Sequence, residues 1–193
     1  TQLFDSAGAV RPATILRAPR GVVSQVKNVE RDGYEAVQIA VGSTKESRLS
    51  KAQRGHRGGA YRFVREYRPT RSGEGMEGME KGTAVDAGVF ALGDKVTVSA
   101  LSKGKGFQGV VKRHRFSGSP ATHGHKDQLR MPGSIGATDP QRTLKGKRMG
   151  GHMGHEKVTV KNLKIVKVDA ENGKLFLRGA VPGTRGTVVK ITS

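Results

Sequence analysis

The chain has 193 residues, no cysteine, 35 Lys+Arg against 16 Asp+Glu, and a formal net charge of +19. A disulfide scaffold and every thiolate zinc site are excluded, and an apolar fraction of 34%, against the roughly 45–50% of a compact globule, leaves a core too small to run through the whole chain. Charge of this size opposes compaction in isolation and calls for a polyanion, nucleic acid before an anionic membrane surface; no apolar run approaches the ~20 residues of a membrane span.

The length suits one sizeable domain with an appendage. The opening Thr1–Asp5 has no charged stretch followed by an apolar one, so no signal peptide is expected there. Over 22–41 valines alternate up to Asp32-Gly33 and apolar residues return from Tyr34 to Val41, which predicts two antiparallel strands joined by a hairpin turn. Residues 45–71 differ: Lys45, Arg48, Lys51, Arg54 and Arg57 recur every three residues, as do Arg62, Arg65, Arg68 and Arg71. Gly55, Gly58 and Gly59 exclude a long helix, while Tyr61, Phe63, Val64 and Tyr67 suit a short element anchored on the core. This segment reads either as a second surface for a phosphate backbone, led by Arg54 and Arg57, or as an ordinary solvated basic face. Residues 72–83 form an acidic, Gly-rich loop without metal-loop spacing.

Strands are predicted at 84–85, 89–92 and 95–101, with a turn at Gly93-Asp94. They resume at 158–160 and 163–169, turn at Asn172-Gly173 into 174–179, and turn at Pro182-Gly183 into 187–191. Short strands at this spacing predict a mainly β protein, a closed antiparallel barrel or a sandwich. The core domain is then 1–102 with 158–193, less regular over 45–83, and residues 103–157 are an insertion between two of its strands.

That insertion carries twelve Lys/Arg against three acids, eleven glycines and five of the six histidines. It lacks the apolar surface to offset the entropy of ordering its own backbone, so a polyanion must order it. Its turn punctuation favours folded RNA over a simple DNA-binding arm. The candidate RNA-binding residues are Lys103, Lys105, Lys112, Arg113, His114, Arg115, His123, His125, Lys126, Arg130, Arg142, Lys145, Lys147, Arg148, His152 and His155, with Arg54 and Arg57 outside it. Cations neutralise phosphates, and glycines between them let RNA strands approach the backbone.

Other chemistries fit the same residues less well. Gly104 to Gly109 spells G-x-G-x-x-G after a predicted strand, but a dinucleotide fold needs a helix after the third glycine. Residues 110–116 are β-branched and basic, poor helix material, and no kinase H-R-D or D-F-G follows. A nucleotide-dependent RNA-modifying enzyme is thus the lesser alternative. His123 with His125 and His152 with His155 could supply metal ligands, but no carboxylate or thiolate completes a usual set, and contacts to bases, phosphates or 2′-hydroxyls suit them better. Nothing supports catalysis, a cofactor or a small-molecule substrate.

Several motifs carry a resemblance. Ser102–Arg113, Ala121–Gly124, Pro132–Gly136, Lys145–Gly154, Val158–Val160, Gly179–Gly183 and the hairpin Arg31–Gln38 occur in the order found in the bacterial-type large-subunit ribosomal protein L-three family, and the chain resembles it over most of 22–190. The resemblance implies a six-stranded barrel of the translation-protein type, a smaller added region and a long basic extension. It also implies binding to large-subunit ribosomal RNA beside neighbouring ribosomal proteins, a part in early subunit assembly, and an extension directed toward the peptidyl-transferase centre, in a cytoplasmic or organellar ribosome. The extension tip is then Pro132, Gly133, Ser134, Ile135, Gly136 and Ala137. Family members begin with a Gly-rich, Lys-containing segment ending in Gly-Met, which does not stand before Thr1, and many bacterial members carry a glutamine, methylated in some, where this chain has Ala137.

Overall fold

The computed structural model describes residues 1–5, 8–68 and 78–192. In chain order its strands are β1 (Gln2–Phe4), β2 (Val10–Arg17), β3 (Gly21–Lys27), β4 (Ala36–Ser43), β5 (Tyr61–Tyr67), β6 (Ala84–Val85) and β7 (Lys95–Leu101), followed by β8 (Phe107–Gln108), β9 (Gly151–His152), β10 (Lys157–Asp169), β11 (Lys174–Arg178) and β12 (Lys190–Thr192). Three short helices, α1 (Val29–Asp32), α2 (Lys51–Arg57) and α3 (Val110–His114), complete the set with single 3-10 turns at Glu46–Arg48 and Ala87–Val89. The chain divides into two compact units, Thr1–Val96 with Lys161–Val181, and Thr97–Val160 with Pro182–Thr192.

The first unit holds two antiparallel sheets. One runs in the order β1-β2-β11-β10, with Leu175 opposite Leu16 and Val168 opposite Leu175. Alternation along β11 buries Leu175 and Leu177, and Ala13 and Ile165 join them in the core. The other runs in the order β5-β4-β3-β6 and buries Val23, Ala36, Val37 and Ala40. Its strand β3 is bulged between Val23 and Gln25, so Ser24 is the extra residue. The bulge turns Ser24 inward beside Val23, and its hydroxyl donates to Gln38 Oε1 at 2.8 Å. The far end of Gln38, a side chain only 3% exposed, reaches His56 Nε2 on α2 at 3.1 Å.

Helix α2 forms because Ser50 and Gln53 make a reciprocal capping box, and it stops at Gly58 in the left-handed region. Of the 45–71 cations, Lys51, Arg54 and Arg57 fall on this two-turn helix, Arg48 in the 3-10 turn before it, and Arg62 and Arg65 on β5, while Arg71 and residues 72–77 of the acidic loop lie outside the described residues. The predicted hairpin over 22–41 is present as β3 and β4, with α1 and a left-handed Gly33 between them.

In the second unit the order is β10-β7-β12, through the opening residues of β10. Ser99 and Thr159 join their hydroxyls across β7 and β10 at 2.8 Å, and Val98 and Ala100 are buried. A separate two-stranded ribbon pairs β8 with β9.

Two expectations need correction. The protein is mainly β, but among the described residues the pairings do not close: β1 and β12 end their sheets with three residues each. The predicted 187–191 strand is shortened because Thr184 and Thr187 form a turn, Thr184 N donating to Thr187 Oγ1 at 3.1 Å, so little ladder remains to close a six-stranded barrel. The predicted strand at 89–92 is a turn instead. Asp86 accepts from Gly88 N and Asp94 accepts from Ala91 N, both at 2.8 Å. These carboxylates offer the backbone a local alternative to a ladder, and Val89 and Leu92 stay exposed.

Candidate nucleic-acid interface

The basic stretch leaves β7 and returns to β10, and its two limbs are stitched together at their base. Ser102 N donates to Glu156 O at 2.8 Å, Lys105 N to Met153 O at 2.9 Å, and Met153 N to Gly106 O at 3.0 Å. The ribbon follows, with Phe107 opposite His152 and Gln108 opposite Gly151. Such close backbone approach needs residues without side chains. Gly154 sits at φ 76° with the Lys103 carbonyl directly where a Cβ would stand.

Beyond the ribbon the leaving limb forms α3, contrary to the expectation that 110–116 would not turn helical. The sequence has the wrong propensity but the right anchor: Val110 is 4% exposed, the one buried residue between 103 and 157. The helix lasts five residues and ends at Arg115, itself left-handed at φ 61°. A helix thus does follow Gly109, but it is only five residues long, and Phe107 and Gln108 of the glycine run pair in β8 with β9 instead of forming the turn of a dinucleotide site.

Helix α3 ties back to the returning limb. Arg113 Nη1 donates to Met149 O at 2.8 Å, and His114 Nε2 lies 3.1 Å from the same oxygen. Outward of this clasp, 117–148 contain no helix or strand and are exposed almost throughout. Local turns shape them: Ser119 N donates to Leu129 O, Gln128 N to His125 O, Met131 N to Gln128 O and Lys147 N to Leu144 O. At the tip Ser134 Oγ donates to Gly136 O at 2.7 Å.

The predicted contact residues therefore fall into groups. Lys103, Lys105, Lys112, Arg115, His123, Lys126, Arg130, Arg142, Lys145, Lys147, Arg148, His152 and His155 are exposed, as is the tip from Pro132 to Ala137. Arg113, His114 and His125 are half-buried, the first two holding Met149. Arg54 and Arg57 lie on α2, in the first unit. Arg54 is 3.9 Å from Glu46, and Arg57 Nη1 donates to Tyr61 O at 2.8 Å, fastening the helix to the start of β5. Among the described residues no three potential ligands gather into a metal site, so the histidine pairs stay apart from further donors. No helix there is long and apolar enough to cross a membrane.

Electrostatics separate the extension from the rest. The ion pairs Arg11–Asp5, Lys27–Glu66, Arg31–Asp32 and Arg54–Glu46 all lie in the first unit. Among the described residues no Lys or Arg of 103–157 makes one. Lys27 also donates to Tyr34 Oη at 2.6 Å, and Tyr34 donates to Glu66 at 3.1 Å. The hydrogen bond from Lys27 holds the Glu66 carboxyl below its ordinary range, and the same bond raises Lys27.

Sequence reasoning missed the stitching of the limbs and the internal duty of Arg113 and His114, for which spacing offers no signal. It also passed over Phe107, 79% exposed on the ribbon. A large ring in a run of small and charged residues was the available sign.

Comparison with known proteins agrees with the motifs. The family model described as Ribosomal protein L3 matches residues 74–175. The chain is 46% identical over 196 residues to the large ribosomal subunit protein uL3 of Chlorobium phaeobacteroides (strain BS1), covering 100% of this chain and 93% of the relative. It is 45% identical over 197 residues to uL3 of Oceanobacillus iheyensis, covering 100% and 92%, and 42% identical over 193 residues to uL3 of Herpetosiphon aurantiacus, covering 100% and 91%.

Proposed function

Since the chain belongs to the ribosomal protein L3 family, we propose that it is a structural constituent of the large ribosomal subunit that binds large-subunit ribosomal RNA through residues 103–157. The observation that carries this reading is the extension itself. It holds twelve Lys/Arg, buries a single residue and pairs none of its cations with an acid among the described residues. Cations left uncompensated on exposed backbone are suited to phosphates, which release counterions as they are neutralised. Small residues between them admit close approach, and in this reading the chain acts as a binder and not a catalyst, as its ribosomal relatives suggest.

In this reading the ribbon and α3 fix the direction of the extension, and 117–148 pass between RNA helices toward the peptidyl-transferase centre. The remaining surfaces meet neighbouring ribosomal proteins, and the whole acts early in subunit assembly within the ribosome. Ala137 offers no side-chain amide, so methylation of a glutamine after the tip turn does not operate here.

Deletion of 120–154 tests the role. The chain should keep its β signature by circular dichroism, while large subunits assembled with it mature slowly or lose activity. Normal yield and full activity of such subunits would overturn the reading.

A further inference from the structure

The ribbon presents an aromatic ring that nothing in its own unit covers. Phe107 is 79% exposed. Leaving such a ring in water forgoes the gain from burying its apolar surface. The ring is nevertheless held. Gly150 lies against it: a Cβ there would stand 3.3 Å from Phe107 Cε1, 3.4 Å from Cζ and 3.3 Å from Gln108 O, so a side chain at this position would press on the ring. Across the pair, Phe107 and His152 are direct partners, and directly opposed residues of antiparallel strands project to the same face.

The backbone beneath is fixed from both sides. Lys105 N and Met153 O join it on one side, and Arg113 holds Met149, next to Gly150, on the other. One side of the ring is therefore backed by backbone and the other is open, beside a second exposed ring. The surroundings select the occupant. Lys103, Lys105 and Lys112 are exposed along the same limb, Lys147 and Arg148 are exposed on the other, and none of them makes an ion pair among the described residues. A protein partner with a simple apolar surface leaves these cations uncompensated. A nucleobase brings a flat π face for the ring and phosphates on either side for the lysines.

We propose that Phe107, backed by Gly150 and flanked by His152, is a stacking platform for one unpaired nucleobase of RNA. The proposal rests on the reading that the extension binds RNA, and adds to it a defined site where a base leaves its helix. Stacking tolerates any base, so the platform selects an unpaired nucleotide and not a sequence.

The chain contains no tryptophan, so F107W installs a single reporter at the platform. The full-length variant is titrated with a large-subunit ribosomal RNA transcript, with indole emission and filter retention followed at one salt concentration. Emission should be quenched as RNA is retained, while F4W, at a residue 72% exposed in the first unit, should not respond. F107L and F107A should both weaken retention by about 5- to 150-fold, the range expected for one stacked base, and F107Y should stay near the original chain. Amide exchange at Lys105 and Met153 in F107L confirms that the ribbon still stands. Retention without quenching overturns the platform and leaves RNA binding intact. A blue shift without quenching, with F107L binding as well as the original chain, also overturns it, in favour of an apolar protein contact. Failure of the original chain to be retained overturns the RNA-binding reading itself.

Discussion

The Arg113 guanidinium donates to the carbonyl of Met149, 36 residues further along the chain, at 2.8 Å. This one bond joins the outward and inward limbs of the extension just beyond the ribbon. A residue whose type and neighbours mark it as a phosphate contact thus has a structural duty first. Its fork has five donors, so the remaining ones stay available to RNA.

R113A should therefore loosen the ribbon before RNA is added. A charge-assisted hydrogen bond at an exposed site is worth about 1–1.5 kcal/mol, so exchange of the Met153 and Lys105 amides should quicken roughly 5- to 10-fold. R113K should recover part of the protection. Unchanged exchange in R113A would show that the clasp contributes nothing.

Two glycines lock the extension by shape. Gly154 and Gly118 both have positive φ, and a Cβ at each would overlap a carbonyl oxygen, of Lys103 and Leu129 respectively. G154A and G118A should each destabilise their segment by about 2 kcal/mol or more, from left-handed strain plus the displaced carbonyl. Gly146 has a similar φ of 81° with nothing within 4 Å of a Cβ, so G146A should cost only about 1 kcal/mol. Amide exchange or subunit incorporation would rank the three, and equal effects at 146 and 154 would count against the close packing of the limbs.

The Lys27–Glu66 pair makes the first unit sensitive to pH at both extremes. The two groups are 2.7 Å apart with side chains 16% and 31% exposed. Glu66 titrates below its usual 4.5 when folded, so its contribution is complete above that value and is lost as pH falls through the depressed one. Lys27 titrates above its usual 10.5, so its contribution is complete below that value and is lost as pH rises through the raised one. E66Q should flatten the acid limb of a stability–pH profile below about 4.5, measured by urea midpoints. An acid limb unchanged in E66Q would mean other carboxylates govern it.

Cations with and without internal partners should separate in salt titrations of RNA binding. K105A and K147A each remove one exposed cation and should lower the log–log salt slope by about 1. R57A should alter stability more than slope, because Arg57 already holds the Tyr61 carbonyl. A slope insensitive to both lysines would place the phosphate contacts elsewhere.

Much of the framework was readable because burial enforces alternation. Val96, Val98 and Ala100 are buried in β7 as the pattern predicts, and Leu175 and Leu177 likewise in β11. The pattern failed where something other than burial chose the conformation. Side-chain carboxylates at Asp86 and Asp94 bent a β-like run into a turn. Val110 pulled a poor helix former into α3 by docking one side chain. Strand β2 gives no clear signal because Pro12 and the arginines at 11 and 17 blur its alternation, although residues 10–12 pair with β1 and 13–17 with β11. Closure of a sheet depends on how many residues its last strands can pair, and β1 and β12 offer three each. In the extension, composition marked the excess of cations, but which of them face outward depends on tertiary bonds such as Arg113 to Met149.

If the extension binds RNA as proposed, the ribbon and its clasp also change what that RNA must supply. The outer residues 117–148 form a loop whose two ends meet before any ligand arrives, and closing a flexible loop of that length costs on the order of 3 kcal/mol. That cost is met within the protein by backbone hydrogen bonds and one guanidinium. Assembly with RNA then begins from a closed loop of fixed base, and insertions or losses in the outer loop should change its reach while leaving its root in place.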